Sequence, residues 1–174
     1  MKKLLLSILL LASVLFADDD DYFTKRKSGV KAVTNQLYLN ECGSCHFAFQ
    51  PGLLPQRSWV KMMNNLADHF GSDATLEPED QQALLKYLTE NAAENAIHYK
   101  RSRKIINSIA NNAIPDKITD VPYFVRKHKR IPQRVIMQEE VSSLSNCTAC
   151  HTTASKGVYS ERAINIPNYG RWDD

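Results

Sequence analysis

Apolar residues along this chain recur mostly at three- and four-residue steps rather than in alternation, which predicts a mainly α-helical fold. Across Val33–Cys42, Val33, Leu37 and Tyr38 stand at helical spacing, so a helix is expected there. "QPGLLPQRSW" is interrupted by Pro and Gly and reads as a loop. From Ser58 to Phe70, Trp59, Met62, Met63, Leu66 and Phe70 form one apolar face, with Ser58 as N-cap and Gly71 as the stop. "LEPEDQQALLKYLTENAA" is the clearest helix. Pro78 lies in its first turn, acidic residues crowd its N-terminus, and Leu84, Leu85, Tyr87 and Leu88 make its inner face. Beyond it the pattern loosens. "IHYKRSRKIINSIA" predicts a basic helix with Ile105, Ile106 and Ile109 inward, and "TDVPYFVRKHKR" a short capped helix that Pro132 ends. "EEVSSLSNCTACH" is expected to lead a helix into its cysteines, and the tail "INIPNYGRWDD" has little periodicity.

One apolar run is of a different kind. Lys2 and Lys3 precede Leu4–Phe16, which is apolar apart from Ser7 and Ser13, and Ala17 then stands before the acidic run Asp18–Asp21. That order is the one found in a secretory signal peptide, expected over residues 1–17. The run is shorter than the roughly 20 residues needed to cross a bilayer as a helix, and no transmembrane segment is expected in the mature chain. Export implies the periplasm. Residues 18–30 then read as a flexible mature N-terminus, 31–96 as a first domain and 97–174 as a second.

Charge adds little. The chain has 22 Lys and Arg against 19 Asp and Glu. A leader ending at Ala17 would remove two of the lysines, leaving a nearly neutral chain with no reason to bind nucleic acid or an anionic membrane. The basic clusters Lys100–Lys104 and Arg126–Arg130 read as solvated helix faces; the alternative is that they hold a ligand's carboxylates or steer an acidic partner. With 9% aromatic residues and 7 Pro, the core is modest, and a large apolar cofactor would help such a chain fold.

The cysteines change the picture most. All four lie in two copies of Cys-x-x-Cys-His: Cys42, Cys45 and His46, then Cys147, Cys150 and His151. Disulfides are permitted in an exported protein but leave the two histidines unexplained. A thioredoxin-like motif wants a βαβ setting. A zinc ribbon pairs its units across about 15–20 residues, whereas these are about a hundred apart. Covalent haem attachment uses every residue: two thiols one tight turn apart add to the vinyl groups, and the next residue offers its imidazole to the iron. Two covalently attached c-type haems are therefore the expected cofactors, with Cys42, Cys45, Cys147 and Cys150 binding the porphyrins and His46 and His151 the iron. A helix before the motif, a loop after it and a closing "ALLKYL" helix make residues 31–96 look like a class I cytochrome c domain.

Each iron then has one position left, and what fills it decides the chemistry. The candidates are His69, His98, His128, Met62, Met63 and Met137. His69, on the helix expected beside the first haem, and His128, toward the inner edge of a short helix, are the favoured sixth ligands. His98 lies among cations and should face water. Met62, Met63 and Met137 are expected in the core. Which distal histidine serves which haem is open. Imidazole on both faces favours low-spin, low-potential iron. A compact chain of this length has a radius of gyration of roughly 15 Å, so the two haems are near enough to exchange electrons.

With the motifs placed, the chain resembles the dihaem cytochrome c family often called DHC. The likeness rests on "ECGSCHFAFQPGLLPQRSW", "HFGSDATL", "YLTENAA", "VPYFVRKH", "SNCTACH" and "GRWDD". It implies bis-His ligation at both haems, with His69 and His128 as matched positions, a class I-like N-terminal domain and an extended C-terminal haem segment. It also implies electron transfer between redox proteins, with a small oxygen-binding monohaem cytochrome c as acceptor and a membrane b-type cytochrome as donor. Two other function classes compete: a dihaem enzyme with one open iron, such as a peroxidase or small-molecule reductase, and a zinc- or disulfide-stabilised module without haem. The reading carried forward is an electron carrier rather than an enzyme.

Overall fold

The computed structural model describes residues 29–172. The expected leader, and nearly all of the segment expected to be flexible over 18–30, lie outside the described residues. Among the described residues the chain is helical, with isolated bridges in place of strands, as the mainly α expectation has it. No helix among them is long and apolar enough to cross a membrane.

Three helices frame the first half. α1 (Gln36–Glu41) starts later than its apolar spacing suggests, because the Asn35 side chain accepts the Tyr38 N–H at 2.8 Å and caps it there. α2 (Gln56–Met63) begins two residues before the expected Ser58 cap. Pro55 occupies its N-cap, and the first free N–H, that of Gln56, donates to both Glu94 carboxylate oxygens at 3.0 Å. A cap supplied from a distant segment displaces the local one, and Ser58 is buried inside the helix instead. The preceding "QPGLLPQRSW" is half ordered, since Pro51–Leu53 forms a 3₁₀ turn. α3 (Pro78–Glu90) follows expectation, with Pro at its start, Glu79 and Asp80 in its first turn and Leu84 and Leu88 buried.

The second half has shorter pieces: α4 (Lys100–Ile106), α5 (Pro122–His128), α6 (Gln133–Ile136) and α7 (Cys147–Cys150). In the α4 region Ile105 and Ile109 are buried and Ile106 partly so. α5 stops before Pro132, which opens α6. The helix expected to lead into the second cysteine pair is absent. Ser142 Oγ donates to the Glu139 carbonyl, Asn146 Nδ2 to the Val141 carbonyl, and Ser143 Oγ accepts the Ser145 N–H. These side chains bind the backbone locally and hold it in turns, with Ser142 at φ 60°. Only the motif itself is helical.

The core runs across the expected boundary near residue 97. Leu54, Trp59, Met63, Leu84 and Leu88 share one buried cluster with Ile105, Ile109, Val121 and Tyr123. Buried Gln50 is a second tie: its Nε2 donates to the Ala154 carbonyl at 2.6 Å, and its Oε1 accepts the Tyr159 hydroxyl at 2.6 Å. A third is a close crossing of backbone, where the Val30 N–H donates to the Gly157 carbonyl at 2.9 Å. A Cβ on Gly157 would lie 2.3 Å from the Val30 carbonyl oxygen, and its φ is 71°. Only glycine fits there.

Candidate haem sites

The first Cys-x-x-Cys-His follows directly from α1, whose C-cap is Cys42. Cys42 packs against the core, and burial, reinforced by Glu41, pushes its thiol up to about 11. Cys45 is exposed. His46 is exposed too, with Nδ1 2.8 Å from the Phe47 carbonyl oxygen, which leaves Nε2 for another partner. Facing it is His69, with ring centres 6.1 Å apart and planes 22° from parallel.

His69 does not ride on α2 as expected. The helix ends at Met63, whose carbonyl accepts Gln81 Nε2 at 2.6 Å, so the chain leaves helical geometry at Asn64 and Asn65. After a 3₁₀ turn over Leu66–Asp68, His69 and Ser72 exchange backbone hydrogen bonds, and Asp68 Oδ1 accepts the Gly71 N–H at 3.0 Å. The turn swings Phe70 outward, 60% exposed at φ 55°. Burial first, and then His46, lowers the His69 pKa.

The second site is deeper. His151 is half-buried, and burial, followed by the charges of His128 and Arg101, lowers its pKa to about 4. Its Nδ1 is buried without a hydrogen-bond partner. Cys147 is pushed up to about 11 by burial. His128, at the end of α5, has Nδ1 2.8 Å from the Phe124 carbonyl oxygen one turn back, and its ring stacks on Phe124 at 3.8 Å and 15°. The His128 and His151 rings are again 6.1 Å apart, but 73° from parallel. Cys147, Cys150 and both histidines open into a largely apolar hollow. Val121, Val141, Ile164, Ile166 and Trp172 belong to its wall, so the aperiodic tail folds over this site. Arg101 reaches its rim but is engaged by the Tyr123 hydroxyl and, at 2.5 Å, the Tyr159 carbonyl.

The structure thus sets the His46 ring against that of His69 and the His128 ring against that of His151. His98 is exposed beside Tyr99. Met63 is core and Met62 is half-buried beside His69. Met137, expected in the core, is 64% exposed, because α6 ends after one turn and leaves it at the C-cap. Sequence reasoning missed Phe124, Tyr159 and Gln50, which orient or join the sites. Only Phe124 had a local signal, its i to i+4 spacing from His128.

These residues fit a haem at each site. Two imidazoles on opposite sides of one metal ion at about 2.0 Å have ring centres roughly 6 Å apart, the separation seen in both pairs. An apolar hollow opening on paired thiols suits a porphyrin. The four thiols do not converge on a zinc site: all are free, and no cluster of three or more metal-binding side chains occurs among the described residues.

Residues 38–159 match the family model described as dihaem cytochrome c. Among solved structures, the chain is 38% identical to a dihaem c-type cytochrome from Shewanella baltica OS155, covering 80% of this chain and 98% of that one at a TM-score of 0.65. A dihaem cytochrome c from Rhodobacter sphaeroides is 36% identical, covering 75% of this chain and 100% of its own, at a TM-score of 0.66. None of the curated proteins compared matches.

Proposed function

The chain belongs to the dihaem cytochrome c family, whose cofactors are two covalently bound haems, and from that premise we propose an exported electron carrier with both irons closed by imidazole. Cys42 and Cys45 would hold one porphyrin and Cys147 and Cys150 the other. His46 and His69 would bind the first iron, and His128 and His151 the second. Bound there, each haem supplies a reversible one-electron iron couple. The observation that carries the reading is the recurrence of one spacing, 6.1 Å between ring centres, at both motifs.

The protein's own groups orient and shelter the cofactors. Carbonyl oxygens of Phe47 and Phe124 accept from Nδ1 of His46 and His128, which fixes the tautomer and points Nε2 inward. Imidazole on both faces favours a low potential, while the apolar wall at the second site excludes water and pushes that iron's potential the other way, above that of the more exposed first site. Arg126, Lys129 and Arg130, exposed near that site, suit an acidic edge on a redox partner. The partners the family resemblance implies are an oxygen-binding monohaem cytochrome c as acceptor and a membrane b-type cytochrome as donor, met in the periplasm after loss of residues 1–17.

Protein matured in a host that attaches haem to exported chains tests this. Low-spin bands unmoved by carbon monoxide are expected. A high-spin fraction that binds carbon monoxide would replace the carrier with a dihaem enzyme having an open iron. His69→Met should raise one midpoint potential and leave the other in place.

A further inference from the structure

The two imidazole pairs share a spacing but not an angle. We propose that the chain holds the first pair near parallel and the second near perpendicular, giving the two irons different electronic ground states, and that the Phe124 ring is the positioning residue for the second. This rests on the bis-imidazole ligation proposed above.

Imidazoles that sandwich an iron stand edge-on to the porphyrin, so the angle between their planes persists when the cofactor lies between them. Each ring donates into the one iron d orbital of matching π symmetry. Parallel rings load the same orbital and split the pair, whereas crossed rings load both and leave them nearly level. The protein tunes the metal through ligand orientation, and hydrogen bonds to the ligands set that orientation.

At the first site His46 leans on Phe49, with centres 5.3 Å apart and planes 40° apart, and its Nδ1 is tied to the next residue's carbonyl. His69 meets Phe70 at 4.9 Å and 65°, and the pair ends 22° from parallel. At the second site His128 is fixed from two directions. Its Nδ1 is tied to the Phe124 carbonyl oxygen, and its face lies flat on the Phe124 ring. His151 is instead held edge-to-face by Tyr159 at 5.3 Å and 69°, and the Tyr159 hydroxyl is anchored on buried Gln50. One ring follows an α5 neighbour and the other follows a loop tyrosine, so their planes cross at 73°. Turning His128 into line with His151 would pull it off Phe124 and strain its Nδ1 contact.

Electron paramagnetic resonance of the fully haem-loaded ferric protein reads the angle directly. Two low-spin species in equal amount are expected, one with three resolved lines and one with a single broad line at lower field. Two superimposable three-line signals would overturn the proposal. A high-spin signal would instead remove the ligation on which it rests, and the two failures are spectrally distinct. In Phe124→Leu the low-field line should move to higher field with the three-line signal unchanged, and Phe124→Tyr, which keeps the ring, should restore the wild-type spectrum. A low-field line unaltered by Phe124→Leu would take the positioning role from Phe124.

Discussion

The two sites use the same pentapeptide in opposite surroundings. Around the first, α2 and α3 pack Trp59, Met63, Leu84 and Leu88 into a core to which the motif adds only Cys42 at its edge, and His46 stands at the surface. Around the second, short helices and turns surround a hollow in whose wall Val121, Val141 and Ile166 are buried by protein, whereas Ile131, Leu144, Ile164 and Trp172 are only half-buried. A scaffold of helices can carry a cofactor, whereas a scaffold of turns is completed by one. The two surroundings thus differ less in what they bind than in how far the bound group completes the packing around it.

Loading one site at a time would break that comparison most directly. Cys147→Ala with Cys150→Ala should cost about 3–6 kcal/mol, since the half-buried wall residues Ile131, Leu144, Ile164 and Trp172 each lose about half of a burial worth roughly 1.5–3 kcal/mol. Hydrogen exchange should show residues 118–172 opening. Cys42→Ala with Cys45→Ala should leave exchange in α2 and α3 slow, and equal opening in both variants would erase the distinction. Next in size is Gln50→Leu, which strips two buried partners at once, the Ala154 carbonyl and the Tyr159 hydroxyl. A loss of about 2–4 kcal/mol in urea unfolding is expected, at roughly 1–3 kcal/mol for each group left unpaired. Gly157→Ala should cost about 1–3 kcal/mol from its left-handed backbone and the crowded Val30 carbonyl. Its midpoint should fall with the denaturant slope unchanged. Ser58→Ala is the smallest change: the hydroxyl is buried in α2 without a partner, so its removal should be neutral or stabilise by up to about 1 kcal/mol.

What could be read in advance divides along the same line. α3 was legible because its cap, acids and apolar face all lie within its own segment. α2 was placed but misbounded, as Glu94 caps one end and Gln81 draws on the last carbonyl, and both come from elsewhere in the chain. That shift moved His69 from a helix to a turn without parting it from His46. The motifs were legible because thiol, thiol and imidazole must act on one porphyrin within five residues. The residues orienting the rings were not, since Tyr159 reaches Gln50 across 109 positions and no periodicity records such a contact. Serine-rich chain before Cys147 has helical apolar spacing but spends its side chains on its own backbone.

The crossing of Val30 and Gly157 also sets an order of events. Those two residues cannot meet until nearly the whole polypeptide has been made, whereas the Cys42 pair emerges early. Chemistry at that pair can therefore begin on an unlatched chain, and the latch can close only after the second pair has also come into view. A substitution that weakened it would therefore spare the early pair and tell on the finished protein.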